Sequence, residues 1–285
     1  MEANANATRN GSRALPSDLQ QVGVVAKYDI LKYLRSRRLL GILIIEVLVL
    51  AIITVLIGTS DHKYTVDGVI SEYVGFVSIL IILGATLFGG DAIVSEYQGR
   101  TGFLLFPNPV KKSSILGGKL ASSVAAMSLL LVIYYVVAIV CGLVLGSGGM
   151  STRVFASLGL ALLYGISAIA VAFLISSIMK GSTGSLILTF ALFFLIFDII
   201  TSLIGTLGGI KPWFMIDFAG STLSTVMSDP YPVDTISSIP VGDGTTFSMH
   251  VFYPEIYLSI AVMVVYAAAS IGLAYLFFRR REMAA

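Results

Sequence analysis

Charge is scarce in this chain. Asp, Glu, Lys and Arg make up 12% of its 285 residues, where soluble domains carry about a quarter. That shortage excludes an ordinary soluble domain and, with a net charge of only +2, a nucleic-acid partner. Cysteine is nearly absent as well. Cys141 stands alone, so no intrachain disulfide can form and the redox compartment stays open. The two histidines, His62 and His250, are far apart, which rules out the paired His-Glu-x-x-His of a zinc hydrolase. No P-loop is present. Gly118-Lys119 is followed by Leu120, and Ser113 stands where the first glycine should be, so the chain has no cradle for ATP phosphates of its own. The first 38 residues lack an apolar core with a small-residue cleavage site, so no cleavable signal peptide is expected.

What the chain has is apolar length. Hydrophobic residues make up 56% and mean hydropathy is +0.93. A helix needs roughly 20 apolar residues to cross the hydrocarbon. Six stretches reach that length: 39–58, 69–90, 119–145, 154–179, 185–207 and 256–278. The expected fold is therefore all-α, an integral membrane bundle of six transmembrane helices. Fifteen of the 18 Lys and Arg residues fall in segments that lie on one side if the N-terminus is inside. The positive-inside rule then puts both termini in the cytoplasm. Trp213, Tyr231, Tyr253 and Tyr257 fall where an outer aromatic belt is expected.

Residues 1–17 are small and polar and read as a disordered cytoplasmic tail. Over 18–38, Leu19, Val22, Ala26, Ile30 and Tyr33 recur at helical spacing. This basic amphipathic helix is expected to lie in the inner interface; a juxtamembrane charge cluster that only sets topology is the plainer reading. Small residues at four-residue spacing, Ala161/Gly165 and Ala168/Ala172/Ser176 in the fourth span and Ala268/Gly272 in the sixth, mark faces for close helix packing. The extracytoplasmic segment 208–254 holds five prolines. It is too long to lack structure, so short helices or a cap are expected; Trp213–Met227 could dip into the outer interface.

The inner loop 91–118 reads DAIVSEYQGRTGFLLFPNPVKKSSILGG. Its apolar patch Phe103–Phe106, with charged flanks, suits a docking surface for another protein, or a loop folded back on its own bundle. The loop resembles that of the ABC-2-type permeases, the membrane subunits of ATP-driven exporters. It shows Glu96, Gly99, Thr101, Leu104, Leu105, Pro107, Pro109, Lys111 and Lys112, then Gly118 and Lys119. It departs from the family pattern in Arg100, which separates Gly99 from Thr101. The motif covers about a tenth of the chain; the six-span plan and the leading helix extend the likeness over nearly all of it.

The resemblance implies a coupling helix that docks on an ABC ATPase subunit, with Glu96, Gly99, Thr101, Phe103, Leu104 and Pro107 at the contact. It implies that 18–38 is the family's elbow helix and that two permeases, as a homodimer, line a path in the cell membrane. ATP and Mg would be bound by the partner ATPase; this chain would hold no cofactor and no metal, touch lipid, and not be an enzyme itself.

Two carboxylates lie deep within spans, Glu46 and Asp198, about 10–12 Å and 20 Å from the inner ends at 1.5 Å per residue. An isolated charge in hydrocarbon is prohibitively costly, so each needs a proton or a polar partner. They are candidates for the substrate path or for interhelical packing, and Thr201 and Ser202 have the spacing to serve Asp198. The rival functions are a non-transporting sensor or assembly subunit and, least supported, an intramembrane hydrolase. For the last, Gly165-Ile166-Ser167-Ala168 resembles an intramembrane serine motif but has no histidine near it in the membrane.

Overall fold

A computed structural model describes residues 17–98, 111–240 and 246–280. Six helices in it are long and apolar enough to cross a membrane: Arg37–Gly58, Val66–Gln98, Lys112–Leu145, Arg153–Ile178, Ser182–Leu207 and Ile256–Arg280, here called the first to sixth spans. A helix satisfies its own backbone in hydrocarbon, which is why apolar runs of this length fold this way. The protein is an all-α membrane bundle, with one short strand pair among the described residues.

Hydropathy alone does not say which spans are central. The second and fourth are the core, with 78% and 61% of their most apolar stretch buried, whereas the fifth has 11%. The sequence explains the fourth span: its small residues let neighbours approach. A Cβ on Gly89 of the second span would come within 2.7 Å of Ala172. The sixth span packs differently from the Ala268/Gly272 expectation. Both residues are exposed, and the inward face is Met263, Ala267, Ser270 and Ala274. The Ser167 hydroxyl donates to the Met263 carbonyl at 2.8 Å.

The leading helix spans Asp18–Leu34 and starts on a capping box between Ser17 and Gln20, which satisfies two backbone N–H groups at its start. Ser36 then makes the corner. Its hydroxyl donates to Tyr33 at 2.8 Å and accepts from the Leu39 N–H at 3.3 Å, so the first span begins as a separate helix at Arg37. Val22, Ala26, Ile30 and Tyr33 are half-buried and Leu19 is exposed. Gly117 and Gly118 of the third span meet Val22 and Val25. The helix therefore turns this face to the bundle and leaves Val24, Tyr28 and Leu31 exposed.

Near the other end of the bundle, Ile216–Gly220 and Thr222–Thr225 form two short helices packed among the fourth, fifth and sixth spans. Ile216, Ala219 and Leu223 are fully buried, and a Cβ on Gly220 would meet the Tyr164 ring at 2.7 Å. Strands Thr235–Pro240 and Thr246–Val251 pair antiparallel, with Thr235 opposite Val251. Lys211 ties the base of this hairpin to Asp234 at 2.9 Å and to Glu255 at 3.5 Å.

Candidate functional site: the broken end of the second span

The second span does not end as a regular helix. After Val77–Gly84 it widens into a π turn, Ala85–Gly89, and resumes as helix only at Val94–Gln98. Glycines make room for the turn: a Cβ on Gly84 would meet Met127 at 2.6 Å, and one on Gly90 would meet the Thr86 carbonyl at 2.5 Å. A break of this kind frees backbone groups that must find partners away from water. Hydroxyls from four neighbouring elements supply them. Ser176 of the fourth span accepts from the N–H groups of Ile93 and Val94 at 3.0 and 3.1 Å. Ser123 of the third span and Tyr33 of the leading helix both donate to the Phe88 carbonyl, at 3.0 and 3.1 Å. Ser185 of the fifth span donates to the Gly90 carbonyl. Burial holds the Tyr33 phenol above its ordinary value, so it stays a donor through the physiological range.

Charged groups lock the same break. Asp91 is buried and accepts from Arg38 at 2.5 Å and from Ser182 at 3.1 Å. Two turns into the third span, Lys119 is also buried, with its ammonium 2.7 Å from Glu96 and 3.3 Å from Asp29 of the leading helix. Lys111 begins the third span's side of the loop. Its ammonium pairs with Asp18 at 2.7 Å and its N–H bonds Gln21 at 3.4 Å. Gln98, at the other side, accepts from the Ser182 N–H at 2.8 Å. Both roots of the loop are thus fastened to the bundle.

Of the expected contact residues, Glu96 is in this cluster. Gly99, Thr101, Phe103, Leu104 and Pro107 lie outside the described residues. Sequence reading missed Asp29, Arg38, Asp91 and Lys119 as parts of one cluster, counting Arg38 only toward the charge bias and Lys119 toward that bias and the close of the loop motif. One signal was available: Asp29 falls one turn from both Val25 and Tyr33, an acid on a packing face.

Glu46 and Asp198 are not brought together. Glu46 lies on the inward face of the first span with Leu39, Ile42, Leu50 and Ile53, whereas Asp198 is exposed on the fifth. The Thr201 hydroxyl, an expected partner for Asp198, donates to Asp217 instead at 2.8 Å. Burial pushes the Asp217 carboxyl above its ordinary value, and the nearby Asp198 charge adds to that, while Thr201 and the Phe218 N–H oppose it.

The family model for the ABC-2 family transporter protein matches residues 24–283, from within the leading helix through the sixth span. The chain belongs to the ABC-2 transporter family. Comparison with the curated proteins finds no match. The fold and the family together make it a multi-pass membrane permease of the kind that works with an ABC ATPase partner.

Proposed function

We propose that this ABC-2 permease is the membrane half of an ATP-driven exporter in the cell membrane, with both termini cytoplasmic. Two copies enclose the substrate path, and a separate ATPase, which binds ATP and Mg, docks on the loop between the second and third spans. The observation that carries this reading is the fastening of both loop roots: Glu96 and Gln98 on one side, Lys111 and Lys119 on the other. A push on a loop so held moves the broken end of the second span, the leading helix and the third span as one body. The fifth span supports pairing, since Phe194, Leu195, Ile199 and Leu203 leave an apolar face open for a second copy.

The test is the Phe103→Asp/Leu104→Asp double variant. ATPase co-purification should be lost while membrane insertion stays intact; undiminished complex formation overturns the coupling role.

A further inference from the structure

We propose that Glu46 is the floor of a binding site for lipophilic primary amines, reached sideways from the bilayer between the first and second spans. Both carboxyl oxygens are buried with no hydrogen-bond partner among the described residues. The other polar residue beside it is committed elsewhere. Tyr134 donates to the Tyr73 carbonyl at 2.9 Å, and the Tyr73 hydroxyl bonds Thr54 at 2.7 Å. This contrasts with the broken end of the second span, where serine hydroxyls meet the freed backbone groups.

Beside Glu46 lies a hollow of about 30 Å³, bounded by Val49, Phe76, Ile79, Leu80 and Tyr134. Phe76 and Ile79 are exposed on the protomer surface at the depth of the spans, so the hollow opens toward hydrocarbon. A carboxyl group left alone there costs several kcal/mol even when it holds a proton, and none of the described residues supplies the missing partner. A bound water fits poorly, because it needs two to four polar partners and Glu46 is the one unengaged polar residue of the lining. A metal ion fits no better, since it needs several oxygen ligands. An ammonium fits on each count. It forms a charge-assisted hydrogen bond with the carboxylate, leaves the pair with no net charge, and lies beside the Phe76 and Tyr134 rings.

Size sets the class of amine. The hollow holds one group about as large as a water molecule, so –NH₃⁺ enters and a trimethylammonium head does not. The alkyl tail runs out along Ile79 into the lipid. The site stands independently of the exporter reading, because it requires neither ATP nor transport.

The experiment measures saturable binding of radiolabelled n-dodecylamine to the full chain in zwitterionic nanodiscs without the ATPase, with empty discs subtracted. Wild type should bind it saturably, with n-dodecyltrimethylammonium and n-dodecanol competing at least tenfold more weakly. Glu46→Gln should weaken binding about tenfold or more. Ile79→Trp, which fills the hollow and keeps the carboxyl, should do the same. Unchanged affinity in either variant, or equal competition by the trimethyl head, overturns the proposal.

Discussion

Lys119 holds Glu96 at 2.7 Å from two turns inside the third span, and the same ammonium reaches Asp29 at 3.3 Å. One buried cation therefore joins the leading helix, the foot of the second span and the third span. We predict that Lys119→Met lowers stability by about 3–5 kcal/mol, the usual effect of removing one member of a buried pair. Adding Glu96→Gln should recover part of it. Thermal unfolding of the three proteins in one detergent checks this; a Lys119→Met midpoint at the wild-type value would refute the clamp.

Adjacent glycines should respond oppositely. A Cβ at Gly118 would come within 2.6 Å of Val25 and 2.9 Å of the Val22 carbonyl, whereas at Gly117 the nearest atom is 3.6 Å away. Gly118→Val should destabilise by about 1–3 kcal/mol through displacement of the leading helix. Gly117→Ala should be neutral or gain up to about 1 kcal/mol from helix propensity. Comparable midpoints for the two variants would contradict the close approach.

The Asp217 carboxyl sits above its ordinary value, so the folded protein binds this proton more tightly than the unfolded chain. Its contribution to stability therefore falls as pH rises from the ordinary carboxylate value through the raised one, and is level above that. Asp217→Asn should gain stability relative to wild type across that window. A difference between the two proteins that does not change with pH would count against it.

If the fifth span is the seam between two copies, Ile199→Cys in a Cys141→Ser background should cross-link in native membranes. A cysteine at Ile169, buried in the fourth span, should not. Monomeric Ile199→Cys protein with its ATPase bound would remove the fifth span from the seam.

Asp198→Asn separates path from packing. With the carboxylate on an exposed face and Thr201 engaged by Asp217, the substitution should leave the melting temperature near wild type. If Asp198 lines the path, transport in the same preparation should change. Normal transport, or a collapse of stability, would end that role.

The sequence by itself determined the solvent and the count of spans. Twenty apolar residues in a row have one stable arrangement in lipid, and six such runs are visible without any structure. It also carried the family's loop motif. The hairpin at 235–251 was not legible, because a short strand pair depends on contacts made after folding. The division of labour among the spans was hidden for a similar reason: apolar faces look alike to a hydropathy scale whether they meet lipid or another helix. Glu46 and Asp198 read as equals in one dimension, and the tertiary structure buried one and exposed the other. Lys119 read as a topology signal and as the close of the loop motif, at the mouth of a span. Only the approach of three helices, made close by Gly118, turned it into a buried counter-ion, because the partners that decide a charge's role lie 23 and 90 residues away along the chain.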